Sequence, residues 1–261
     1  MRRFLTVIVI LATAVVFAAF DVSSVLHKSK NITRYIGGAD SAELTIAVPF
    51  ETTTVAALKS FSPQLVEAEL EYTGIMVSWE TGRNRKELLL KEYLSPYMLP
   101  GADGLDWSVR ISPDLPLALV AEVGSGLFRA DLRKIQLESL AVSVDSGSAK
   151  IRLPVSDEPL PLDVDISDGV MEVDLPEGSR LLADVMIGSG ALAVNIDDVA
   201  PVRLFVRERQ PGSSVHLPDT FEPVNDEYEV AGTVWETAAA ASIESPTIIS
   251  VSIKSGSFAL R

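Results

Sequence analysis

Residues 117–176 read LALVAEVGSGLFRADLRKIQLESLAVSVDSGSAKIRLPVSDEPLPLDVDISDGVMEVDLP, and one phrase recurs through them. Apolar and polar residues alternate into a Ser-Gly or Asp-Gly step, and the alternation then resumes. The glycines that close the step are Gly126, Gly147, Gly169 and Gly190, at steps of 21, 22 and 21, followed by Gly256. The gap from Gly190 to Gly256 equals three further periods of 22, so the count alone predicts two weaker units in between. Flanking residues keep the same register. Val123, Val144, Ile166, Ile187 and Ile253 stand three before each glycine, and Phe128, Ala149, Met171, Leu192 and Phe258 stand two after. One step further from the glycine are Ala121, Val142, Val164, Val185 and Val251 on one arm and Ala130, Ile151, Val173, Val194 and Leu260 on the other. A period of two that resets at a glycine and recurs at fixed spacing predicts an all-β domain of stacked strand units sharing one core.

Two geometries satisfy this pattern. The residues on either side of each glycine face each other across a tight hairpin turn, for which Asp168-Gly169 is a favourable pair, or both point inward at the corner of a β-solenoid coil. Either way the glycines are expected at turns with positive φ. The residues between the inward ones face solvent and are free to carry function. They are Arg129 and Asp131, Lys150 and Arg152, Glu172 and Asp174, then Ala193 and Asn195. The first six run from mixed to basic to acidic along the stack and form the candidate partner-binding face.

Outside this region the alternation loosens. Leu44, Ile46, Val48 and Phe50 make a first strand, with Ala42 placed four periods of 21 before Gly126 as a degenerate unit. Val66, Ala68, Leu70 and Tyr72 alternate with glutamates, and Ile75, Val77 and Trp79 follow Thr73-Gly74 as the second arm of a hairpin would. Leu88 to Lys91 and Trp107, Val109 and Ile111 read as further strands, and Ser95 to Gly104 as a loop. Gly212 and Gly232 mark irregular units. No stretch has helical periodicity except the beginning.

That beginning, MRRFLTVIVILATAVVFAAF, carries two arginines and then an apolar run from Phe4 to Phe20 interrupted only by Thr6 and Thr13. A basic start before an apolar run is an uncleaved anchor or a secretory signal. Its length lies at the short limit for spanning a bilayer. The expected organisation is therefore a hydrophobic helix over 1–20 as anchor or signal, a linker over 21–39 and a β-repeat domain over 40–261. The domain is expected outside the cytoplasm, anchored to the cell membrane through residues 4–20, or secreted if the leader is removed.

The run from Asp106 to Pro154 resembles the toastrack domains of bacterial envelope proteins, the putative-adhesin group that includes the C-terminal domain of LiaF-like cell-wall stress regulators. The residues that carry the resemblance are the Trp107 strand, Pro113 and Pro116, Gly124-Ser125-Gly126, Asp131-Leu132, Asp145-Ser146-Gly147 and Leu153-Pro154. They return as Asp168-Gly169 with Leu175-Pro176, and as Gly188-Ser189-Gly190. The resemblance implies a non-catalytic envelope module acting in sensing, scaffolding or adhesion, and it brings no catalytic residues. The LiaF-like pattern places several transmembrane helices before the domain, where this chain has one short segment.

Composition narrows the chemistry. A net charge of −14 argues against a phosphate-tracking nucleic-acid surface and, for the same reason, against an anionic membrane surface, and the absence of cysteine excludes thiolate metal sites and cysteine nucleophiles. His27 and His216 stand near opposite ends of the chain, too far apart in sequence to announce a triad or a histidine metal site. The Gly-Ser-Gly steps lack the Lys-Ser/Thr that opens a phosphate-binding helix. Asp157, Glu158, Asp163, Asp165, Asp168, Glu172 and Asp174 offer oxygens of the kind calcium takes, or else form a solvated face that blocks edge aggregation. Glu67, Glu69 and Glu80 would do glycosidase chemistry only if two of them met across a cleft. The expectation is a non-enzymatic module without cofactor or metal, binding an envelope protein or polymer. A surface adhesin or self-associating structural protein is the alternative, and a hydrolase a third.

Overall fold

The structure, a computed structural model, describes residues 28–50, 52–72, 75–81, 85–92, 106–196, 200–224, 232–242 and 246–261. They form 21 strands, numbered in chain order, and one short 3-10 turn at Ala240–Ser242. The four central coils are β8 (Leu117–Val123) with β9 (Leu127–Asp131), β10 (Leu137–Val144) with β11 (Ser148–Arg152), β12 (Leu160–Ile166) with β13 (Val170–Asp174), and β14 (Leu181–Ile187) with β15 (Ala191–Asn195). The first strand of each coil joins one sheet and the second joins the other. Neighbouring coils pair in parallel, Val144 opposite Val123 and Ile166, Ala149 opposite Phe128 and Met171. The solenoid is therefore the geometry adopted here, because a hairpin would have paired the two arms of one unit antiparallel in a single sheet.

All twenty residues read as inward-facing are buried, none more than 4% exposed. Each Val, Leu or Ile among them contributes roughly 1.5–3 kcal/mol of transfer free energy. One row alternates in bulk at its N-terminal end: Trp107, Thr53, Phe128 and Ala149 lie side by side on successive strands, so a large ring is followed by a small neighbour before Met171, Leu192 and Phe258 continue the row. A second corner is closed by leucines. Leu132, Leu153 and Leu175 are buried there and donate their N–H groups to the carbonyls of Arg152, Asp174 and Asn195 of the next coil at 2.9–3.0 Å.

The glycine corners differ from the expected turns. None of Gly147, Gly169, Gly190 and Gly256 has positive φ; among the described glycines that conformation belongs to Gly37, Gly38, Gly178, Gly212 and Gly232. What the corner glycines provide is clearance. A Cβ on Gly147 would lie 2.4 Å from the carbonyl oxygen of Gly126, and one on Gly190 would lie 2.2 Å from that of Gly169. The residue after each glycine donates to the glycine carbonyl of the preceding coil, Ser148 to Gly126, Val170 to Gly147 and Ala191 to Gly169, at 2.9–3.0 Å. The parallel ladder thus continues around the corner, and a side chain there would separate the coils.

Chain order and stack order part at both ends. β20 (Thr247–Ile253) and β21 (Ser257–Leu260) pair directly with β14 and β15, so Gly256 belongs to the very next coil and not to a unit three periods away. The intervening residues loop outward to form β16 (Val202–Arg209) and β17 (Ser214–His216), beyond the last coil in sequence, with Gly212 at their corner. At the other end β2 (Ser41–Val48) and β3 (Thr52–Ala57) lie against β8 and β9, and β6 (Arg85–Glu92) and β7 (Asp106–Ile111) lie outside them. Ala42 pairs with Leu117 at a strand start, so it does not occupy a degenerate glycine corner.

Antiparallel strands close both ends of the eleven-stranded sheet and one end of the ten-stranded sheet, whose other edge is the parallel strand β17. β5 (Ile75–Thr81) pairs with β6, and β18 (Phe221–Val224) pairs with β19 (Thr233–Thr237), which in turn pairs with β16. In the other sheet β4 (Gln64–Tyr72) pairs with β7 and with β1 (Lys28–Tyr35). Two expectations are corrected by this. β4 and β5 lie in different sheets and make no hairpin, and residues 28–35 of the expected linker are a strand of the domain. The final order is β1-β4-β7-β3-β9-β11-β13-β15-β21-β17 in one sheet and β18-β19-β16-β20-β14-β12-β10-β8-β2-β6-β5 in the other. The expected hydrophobic helix over 1–20 and the Ser95 to Gly104 loop lie outside the described residues.

Candidate functional face

The strict alternation that buries Phe128, Ala149 and Met171 turns the residues next to them outward, and the one-to-one parallel register aligns those residues across strands. Arg129, Lys150 and Glu172 form one row, continued by Ala193, and Asp131, Arg152 and Asp174 form a second, continued by Asn195. The six candidate residues do come together on the outer face of the ten-stranded sheet. The three strands that carry them span about 10 Å at ordinary strand spacing.

Their charges run from mixed to basic to acidic over β9, β11 and β13, and most of them are paired. Lys150 Nζ lies 2.8 Å from Glu172 Oε1, and Arg152 Nε lies 3.4 Å from Asp174 Oδ2. Asn195 donates from Nδ2 to both Glu172 Oε1 at 3.0 Å and Asp174 Oδ1 at 2.6 Å, tying the two rows together. Asp131 is held by Arg133 through Nε at 2.9 Å and Nη2 at 2.7 Å. The Lys150 hydrogen bond holds the Glu172 carboxyl below its ordinary value, and the Arg133 hydrogen bond does the same for Asp131. Lys150 and Arg152 face Glu172 and Asp174 across adjacent strands, so the basic and acidic stretches read along the chain neutralise each other across it. Arg129 is the exception. Exposed between Thr54 and Lys150, it makes no ion pair among the described residues.

Asn195 and Arg133 complete the ladder, and neither stood among the six candidates. Asn195 was legible as an outward residue but carried no charge to draw notice, and Arg133 lies past the strand end, where alternation ceases to specify direction.

The other candidates disperse. Asp163 and Asp165 face outward from β12 in the eleven-stranded sheet, whereas Glu172 and Asp174 face outward from β13 in the other, so the acidic run is divided between opposite faces. Glu67 and Glu69 lie on β4 and Glu80 on β5, again in different sheets. Arg110 holds the first two, at 2.8 and 3.7 Å. His216 is exposed on β17, and His27 lies outside the described residues. The Gly-Ser-Gly steps open no helix; they are coil corners. A cavity of about 530 Å³ at the C-terminal end is walled by Val206, Val215, Leu217, Phe221 and Trp235, with Arg207 and Asp219 at its margin. Arg207 already contacts Asp184 at 3.3 Å and the Ser250 hydroxyl at 3.0 Å.

Residues 22–176 match the family model described as the N-terminal domain of toast_rack, DUF2154. The crystal structure of a putative cell adhesion protein from Clostridium sporogenes aligns over 90% of this chain and 98% of its own, at 12% identity and a TM-score of 0.59. A putative adhesin from Bacteroides fragilis aligns over 90% and 97% at 11% identity, with a TM-score of 0.32. Among curated proteins none matches the chain.

Proposed function

Because the chain belongs to the toastrack family, we propose that it is a non-enzymatic binding and scaffolding module of the bacterial cell envelope. In this reading residues 4–20 hold it at the membrane, the β domain stands outside the cytoplasm, and a partner protein or envelope polymer is recognised on the outer face of the ten-stranded sheet. One observation carries the choice of face. Arg129, Lys150, Glu172, Asp131, Arg152 and Asp174 sit in two straight rows on rigid strands, and all but Arg129 are locked to a neighbour. A surface whose side chains are already ordered loses little rotamer entropy on binding. The leftover guanidinium favours a partner that offers a carboxylate or phosphate opposite it. A role in envelope-stress sensing is compatible with such a module.

The alternative, a self-associating adhesive protein, would join copies through the ends of the stack. The antiparallel closure at both ends of the eleven-stranded sheet and the charged edge strand β1 weigh against that. Photo-crosslinking in intact cells tests the proposal. A benzophenone side chain at position 193, in the same outward row with Arg129 left intact, is expected to capture a discrete partner that the same group at 163, on the opposite sheet, does not. Equal capture from both positions, or none from 193, would remove this face. A reporter that folds only outside the cytoplasm, fused after Arg261, tests the location, and inactivity of that fusion would overturn it.

A further inference from the structure

We propose that the N-terminal end of the stack rests on an anionic lipid surface, with Phe61 entering the headgroup layer. This depends on the reading of residues 4–20 as a membrane anchor. Phe61, in the turn between β3 and β4, is 95% exposed and has φ of +63°. Bulky residues are seldom found in that conformation, and it persists only where the surroundings hold it. Here the Phe61 N–H donates to Asp114 Oδ2 and the Ser62 N–H donates to the Lys59 carbonyl. A glycine would make the same turn without strain. The turn instead presents a phenyl ring to solvent, and nothing in the core packs against it.

A second aromatic stands at the same corner. Tyr35, 59% exposed, ends β1 opposite Gln64, and the adjacent Ile36 N–H donates to the Pro63 carbonyl at 3.0 Å. β1 is the outermost strand of its sheet, and it begins at Lys28, shortly after the apolar run ends at Phe20. The strand spans about 24 Å. An end face laid on the membrane where the chain leaves it therefore brings Tyr35 and Phe61 to the same surface.

Charge agrees with the geometry. In a chain of net charge −14, Lys28, Lys30, Arg34 and Lys59 stand at this end against Asp40 and Asp114, the latter bound to the Phe61 N–H, and a local excess of cations beside an anionic leaflet is attracted to it. Lys28 and Lys30 share the face of β1 that carries buried Ile32, an arrangement of charges that obstructs addition of another strand. Glu67, Glu69 and Glu71 point from the flat outer face and not from the edge, and Arg110 holds the first two. Aromatic side chains flanked by lysine and arginine are the composition of a bilayer interface.

The chain has no cysteine, so single thiols report cleanly. Full-length Phe61→Cys and Val155→Cys proteins are labelled with an environment-sensitive fluorophore and mixed with vesicles of phosphatidylcholine and phosphatidylglycerol. Val155 is 66% exposed and follows β11, five strands from β1. The label at 61 is expected to shift to the blue and to be quenched by brominated lipid, the label at 155 to do neither. Lys28→Glu with Lys30→Glu is expected to reduce the shift at 61 without changing vesicle flotation. If the protein floats but the label at 61 behaves like that at 155, the docking proposal fails while the anchor stands. If it does not float, both fail.

Discussion

Gly256 stacks on Gly190 although four strands, β16 to β19, separate their two coils in the chain: the Ser257 N–H donates to the Gly190 carbonyl at 3.0 Å, and a Cβ on Gly256 would stand 2.2 Å from that oxygen. That Cβ would meet the Gly190 backbone first, with Ile187 Cγ2 beside it at 2.7 Å, so turning a side chain does not relieve the contact. Gly256→Ala is therefore expected to cost about 1–3 kcal/mol through overpacking. Gly178→Ala has nothing within 4 Å and meets only the penalty of its φ of +77°, about 1–2 kcal/mol. Urea unfolding of the two variants checks the order, with the corner variant predicted to be the less stable.

The same contact places the last coil inside the stack. β20 is flanked on both sides by parallel neighbours, β14 and β16, so the chain terminus should not fray as termini commonly do. Hydrogen exchange is expected to show the amides of 249–253 as slow as those of 162–166. Exchange of 249–253 at the rate of a free terminus would contradict the inserted coil.

Thr53 is fully buried between Trp107 and Phe128, and its hydroxyl has no hydrogen-bond partner among the described residues. An unsatisfied buried hydroxyl is a standing cost, and valine has nearly the same shape. Thr53→Val should raise stability by about 1 kcal/mol, whereas Trp107→Ala should lower it by about 3–5 kcal/mol. Thermal unfolding of both variants decides. A melting temperature for Thr53→Val below wild type would show that the hydroxyl has a partner after all.

How much of this was legible beforehand varies with the kind of interaction. The inward residues could be read because burial follows a period of two, and Val164 or Ile187 announces itself whatever the coil does with its neighbours. The candidate face could be located for the same reason. Its electrostatics could not, because Lys150 and Glu172 stand a full coil apart in the chain and become partners only through the parallel register. Coil order was hidden for a related reason. Gly256 keeps the motif of Gly190 without recording that residues 200–224 fold outside it. The corner glycines were recognisable as glycines, but steric clearance and positive φ select the same residue, so the reason for them appears only once coils are stacked.

Acid should weaken the ladder in a defined direction. Glu172 titrates below its ordinary value of 4.5 because Lys150 bonds its charged form. A carboxyl whose folded-state value lies below its unfolded one adds stability above the unfolded value, and that stability is lost as pH falls through the folded one. The group is exposed, so the contribution is small, about 0.2–1 kcal/mol at neutral pH. Glu172→Gln should be less stable than wild type by that amount at pH 7 and indistinguishable near pH ~2, as read from denaturation midpoints at the two values.

Exchanging the charges of one ion pair tests most directly whether the outer face of the ten-stranded sheet is a recognition surface. Lys150→Glu combined with Glu172→Lys keeps the pair and the net charge, so folding is preserved while the order of charge beside Arg129 is reversed. With circular dichroism and melting temperature matching wild type, the double variant is predicted to lose the partner that wild-type protein captures from envelope extracts, and to show an altered salt dependence of capture. Identical partner profiles from the two equally folded proteins would contradict the account.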